Sequence, residues 1–135
     1  HTLQLSRVAA SMGVDAVLLV TPYYNKCTQA GLIAHYTAAA DTVPCPVIVY
    51  NVPSRTGVDV SVETCRALCG HPNIGGIKEA SGSVPKAMRK GRDLRFVECT
   101  AQADAADGSR LSGVRIRTGG PYADGSDGAC GRAFL

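Results

Sequence analysis

The chain has 135 residues, enough for one domain, with a near-balanced charge of +3 from 14 basic and 11 acidic side chains. That balance argues against a dedicated nucleic-acid binder, and no signal peptide or membrane-spanning run is visible. Six cysteines without a Cys-x-x-Cys pair argue against a disulfide framework or a zinc site, so reduced thiols and a cytoplasmic setting are the expectation.

Thr2 to Met12 reads as a helix, with Thr2 as cap and Gly13 as stop. Val14 to Val20 is a short β-branched apolar run that leads into Thr21-Pro-Tyr-Tyr-Asn-Lys26 and reads as a strand. Gln29 to Ala40 is rich in Ala and Leu, lacks Pro, and has helical character. Pro46 to Tyr50 is the next apolar run; it ends in a tyrosine and enters Asn51-Val-Pro-Ser-Arg-Thr-Gly57. Ser61 to Leu68 opens with an N-cap serine and is stopped by Gly70, with Pro72 beyond. Ile74-Gly-Gly-Ile-Lys78 is a third apolar run, closed by a lysine, and Val84 to Lys90 starts another helix.

The apolar runs end near Val20, Tyr50 and Lys78, at spacings of 30 and 28 residues. Strands alternating with helices imply a parallel sheet with covering helices, and continuous apolar strands fit burial of both faces. Eight such units would give the roughly 250 residues of a (β/α)8 TIM barrel, so residues 1–90 read as about three βα units of one. A doubly wound open sheet is the competing architecture. No Gly-x-Gly-x-x-Gly follows any strand, which weakens its dinucleotide-binding form. In a barrel the reactive groups gather at the C-terminal ends of the strands. Tyr24, Tyr50, Arg55 and Lys78 all fall at or just beyond those ends.

A lysine closing a buried strand is costly unless it is paired or reactive. A desolvated amine attacks carbonyls and forms a Schiff base, whose iminium acidifies the adjacent carbon. A tyrosine hydroxyl at the same rim can relay protons, and an arginine fork suits a substrate carboxylate. The bland alternative is that Lys78 pairs with Glu79 or Asp59 at a strand end. Cys65 and Cys69, four apart on a helix, read as packing residues, and His1, His35 and His71 form no ligand pattern with them. No metal is expected.

Thr21-Pro-Tyr-Tyr-Asn-Lys26, Tyr50-Asn-Val-Pro-Ser-Arg-Thr-Gly57 and Gly76-Ile-Lys-Glu-Ala80 together resemble the central motifs of the dihydrodipicolinate synthase family, from about residue 2 to about residue 90. The resemblance implies a lyase that condenses pyruvate with aspartate semialdehyde on the path to lysine, without a cofactor. It implies that Lys78 forms the Schiff base with pyruvate and that Tyr50 relays protons. Tyr24 would reach across a tight dimer interface into the partner's relay, and Arg55 would receive the semialdehyde carboxylate. A homo-oligomer is implied as well. Other pyruvate-dependent aldolases, such as N-acetylneuraminate lyase, share the tyrosine and the lysine, but the Asn-Val-Pro-x-Arg-Thr-Gly form is closer to the synthases. Cys27 stands where a proline is usual.

The resemblance also implies earlier strands, which makes residues 1–90 a central part of the barrel, and a threonine that completes the relay, yet no Thr-Thr pair occurs in the chain. Residues 91–135 depart further. They hold eight Leu, Ile, Val or Phe against 22 in residues 1–90, six arginines and no lysine. Repeated Asp-Gly and Gly-Gly-Pro breaks remove any period, so a disordered, solvated tail is expected. Its composition suits a reading frame translated out of register, with a genuine flexible extension as the alternative. The chain thus reads as a fragment, inactive alone, with a non-catalytic role as the alternative.

Overall fold

The computed structural model of the chain describes residues 1–91 and the short segments 96–98, 115–116 and 133–134. In chain order the elements are α1 (Thr2–Ser11), β1 (Ala16–Val20), α2 (Gln29–Thr42), β2 (Val47–Asn51), α3 (Pro53–Thr56), α4 (Val62–Cys69), β3 (Ile74–Glu79), α5 (Val84–Gly91), β4 (Phe96–Glu98), β5 (Arg115–Ile116) and β6 (Ala133–Phe134). They form one sheet in the order β5-β4-β3-β2-β1-β6. β1 pairs parallel with β2, β2 with β3, and β3 with β4. The expected parallel α/β arrangement is therefore present. The tail, for which disorder and a shifted reading frame are expected, lies outside the described residues apart from β4, β5 and β6.

The caps explain where the helices begin. Ser61 Oγ accepts a hydrogen bond from the backbone N–H of Thr64 at 3.0 Å, as the Ser-x-Glu pattern predicts. Thr28 caps α2 in the same way, through the N–H of Gly31. Thr2 does not cap α1. It is already the first helical residue, and His1 stands at the cap position without a side-chain bond.

α2 and α4 cover one face of the sheet. Leu32, Tyr36 and Ala40 from α2 and Cys65 and Leu68 from α4 pack on Val17, Val47, Val49 and Ile77. Tyr36 is fully buried, and its hydroxyl donates to the Leu19 carbonyl at 3.1 Å, so the polar tip is satisfied. Gln29 ties the two helices at one end. Its Nε2 donates to the Asp59 carbonyl, and its Oε1 accepts from Ser61 N and Thr64 Oγ1. The opposite face carries a smaller apolar group of Ala16, Leu18 and Ile48, with Tyr50 against it.

The pairing of β2 with β3 shifts register once. Val47 faces Ile74, but Ile48 faces Gly76, so Gly75 is the extra residue. A Cβ at Gly75 would lie 2.9 Å from Pro46 Cβ and 3.2 Å from Ile48 Cδ1, closer than packed carbons approach.

Candidate functional site at the strand ends

Val20, Tyr50 and Lys78 stand level with one another across the three central strands. Tyr50 belongs to the face of Ala16, Leu18 and Ile48, away from α2 and α4. Lys78 Nζ lies 4.3 Å from the centroid of the Tyr50 ring, within cation–π range. Both side chains are half-buried. Beside them opens a cavity of about 330 Å³, lined by Leu18, Val20, Val52, Tyr23, Tyr50 and Arg55 among others.

Arg55 owes its place to α3, a single turn inside a segment that shows no helical signal in the sequence. Pro53 starts the turn and Gly57 ends it in the left-handed region, φ 64°. Thr56 is buried, and its hydroxyl lies within bonding distance of the carbonyls of Val52 and Val58, which fixes the loop from inside. A Cβ on Gly57 would come within 2.9 Å of Lys26 Cε, so the loop after β1 packs directly on the loop after β2.

The structure thus gathers Tyr50, Lys78 and Arg55 at one end of the sheet. Tyr24 is not gathered with them: it is 91% exposed, and its neighbour Tyr23 lines the cavity instead. The bland pairing of Lys78 does not occur. Glu79 forms an ion pair with Lys90 at 2.5 Å, and Asp59 is paired with Lys86. Adjacent strand residues face opposite ways, so Glu79 lies behind the sheet from Lys78.

Asn51 sits at the centre of this rear cluster, fully buried. Its Nδ2 donates to Asp59 Oδ1 at 2.9 Å and to Glu79 Oε1 and Oε2 at 3.0 and 3.1 Å. Its Oδ1 accepts from Val60 N at 3.0 Å. Burial works to raise the Asp59 carboxyl, but bonds from Lys86 and Asn51 and the Lys86 and Lys90 charges outweigh it and hold Asp59 below the usual carboxylate range. Sequence reasoning missed Asn51. The signal was an amide at the end of an apolar strand, where a buried polar group needs partners.

Burial pushes the Cys65 thiol up to about 12, the state of a packing cysteine rather than a nucleophile. Among the described residues no group of three or more His, Cys, Asp or Glu is placed to hold a metal ion. No helix among them is long and apolar enough to cross a membrane.

Parallel strands, covering helices and polar side chains at the carboxyl ends define an α/β-barrel segment, with those side chains at the end where barrels keep their sites. Residues 1–97 match the dihydrodipicolinate synthetase family, and the chain belongs to that family. It is 60% identical over 84 residues to the 4-hydroxy-tetrahydrodipicolinate synthase of Exiguobacterium sibiricum, covering 62% of this chain and 29% of that protein. With the Geobacter sulfurreducens enzyme of the same name it shares 59% over 87 residues, 64% of this chain and 30% of the other. The fold superposes on the chloride-inhibited dihydrodipicolinate synthase of Acinetobacter baumannii complexed with pyruvate, with a TM-score of 0.67 and 48% identity over 70% of this chain and 34% of that one. The Thermotoga maritima dihydrodipicolinate synthase gives a TM-score of 0.67 at 38% identity, over 71% of this chain and 35% of that one. The chain therefore spans about a third of the length of the relatives it matches.

Proposed function

We propose that this chain carries the Schiff-base centre of a lyase that condenses pyruvate with aspartate semialdehyde. The observation that carries the reading is Lys78 Nζ standing 4.3 Å over the Tyr50 ring, at level strand ends beside a cavity that reaches Arg55. Family membership supports it, as do the names of the relatives and the pyruvate with which the Acinetobacter enzyme is complexed.

The Lys78 amine adds to the ketone carbon of pyruvate and water leaves, giving an iminium. The iminium draws electrons from the methyl group, a proton departs, and the resulting enamine carbon attacks the aldehyde carbon of the second substrate. Tyr50 carries protons during imine formation and release. Arg55, exposed at the cavity, receives the semialdehyde carboxylate as a planar fork. The amine itself supplies the electron sink, so the proposal calls for no cofactor. The exposure of Tyr24 supports its placement against a second copy in a homo-oligomer. Because the chain spans about a third of its relatives, the proposal assigns it the Schiff-base step and leaves the full condensation to a completed barrel. A cytoplasmic location belongs to the same reading.

Borohydride reduction in the presence of pyruvate tests the proposal. A reduced pyruvate adduct should map to Lys78 by mass spectrometry and vanish in Lys78→Ala. Tyr50→Phe should slow trapping by about 100-fold. A folded chain that yields no adduct on Lys78 would sink it.

A further inference from the structure

We infer that Asn51 is a positioning residue, which holds Tyr50, Lys78 and the Arg55 loop in one geometry from the far side of the sheet. The inference rests on the Schiff-base reading for its chemical consequence, while its structural content stands separately. Asn51 follows Tyr50 on β2. Its amide grips the carboxylate of Glu79, the residue after Lys78 on β3. The same amide grips Asp59, and its carbonyl oxygen takes the N–H of Val60, at the far end of the loop that begins at Val52 and carries Arg55. The backbone carbonyl of Asn51 adds a bond from Ala80 N at 2.8 Å. One side chain therefore joins the three segments that bear the site residues.

The chemistry of the cluster calls for an amide. Two carboxylates, Glu79 and Asp59, converge on it, and two lysines, Lys90 and Lys86, balance their charge. Only a donor fits between two carboxylates, and only an acceptor fits opposite the Val60 N–H. Asparagine presents both in one short, nearly rigid group. An aspartate there would bring a third negative charge into a buried site and lose both donors. The Glu79 carboxylate is also held by Ser81 N at 3.0 Å, so the strand end after Lys78 is fixed from both sides. Supporting bonds of this kind hold a reactive constellation to within fractions of an ångström.

The test compares Asn51→Asp and Asn51→Ser with the parent chain. The serine variant lacks the reach to Glu79 and Asp59 but adds no charge, so it carries the test if the aspartate variant does not fold. Two readouts are taken on chains shown folded by circular dichroism. The first is the ring-current displacement of the Lys78 ε-methylene protons by Tyr50, read by NMR. The second is the rate of borohydride trapping with pyruvate. Both variants should lose the displacement and trap about tenfold more slowly or worse. Leu68→Ala, a core truncation in α4, should keep the displacement, which separates positioning from general loosening. A folded Asn51→Ser that retains the displacement overturns the inference, as does a Leu68→Ala that loses it equally. If the parent chain traps no pyruvate, the Schiff-base reading is what fails, and the displacement alone decides the role of Asn51.

Discussion

Tyr50 and Lys78 lie on one face of the sheet, while Asn51 and Glu79, each a single residue further on, lie on the other. The front is half-buried and opens on a cavity, and Lys78 meets there the face of the Tyr50 ring. The rear is closed: the Glu79 and Lys90 side chains are 4% and 0% exposed, and the amide between them and Asp59 is saturated with bonds. A satisfied ionic cluster stands directly behind the amine, and it braces the strand end while its carboxylates are taken up by Lys90, Lys86 and Asn51. The ionic cluster and the candidate site are thus divided between the two faces of the same strands.

That division is sharpest in a pair of lysine substitutions. Lys90→Met leaves the Glu79 carboxylate buried without its cation and should cost about 3–5 kcal/mol in urea denaturation. Lys78→Met removes a half-buried cation from an aromatic face and should change stability by about 1 kcal/mol or less, while abolishing pyruvate trapping. Equal losses of stability from the two would erase the contrast. Next in size, Gly75→Ala places a methyl against Pro46 and Ile48 and should cost about 1–3 kcal/mol, with both faces disturbed together. The smallest effect concerns pH. Asp59 is held below its ordinary value of 3.8, so its stabilising share is present above that value and is lost as pH falls through the lower folded one. An acid titration of thermal stability should show that loss, and Lys86→Met should shrink it; an unchanged acid limb would remove Asp59 from the account.

The frame of the fold was legible because it rests on local chemistry. Three β-branched runs, the capping serine at Ser61 and the glycine stops predict the strands and helices within a few residues. Tyr50, Lys78 and Arg55 were legible as strand-end groups, and the structure brings them to one place. Tyr24 does not join them: it is 91% exposed on the loop after β1, and Tyr23 lines the cavity in its stead. The rear cluster was illegible for a different reason. Asp59, Glu79, Lys86 and Lys90 are charged, and charge in a sequence reads as surface. Glu79 and Lys90 are buried through pairing across 11 residues of chain, and the partly exposed Asp59 and Lys86 pair across 27, which no periodicity records. α3 escaped notice because a four-residue turn is too short to show a period.

The register shift at Gly75 carries a larger consequence than its size suggests. Side chains alternate along a strand, so one inserted residue inverts the parity of everything after it. With Ile48 opposite Gly75, the pairing would run Tyr50 to Ile77 and Asn51 to Lys78. The amine would then stand beside Asn51 and Asp59 behind the sheet, the Glu79 carboxylate would turn to the front, and an isoleucine would face the tyrosine. A single glycine, small enough to pass Pro46, decides which side of the wall the lysine is on.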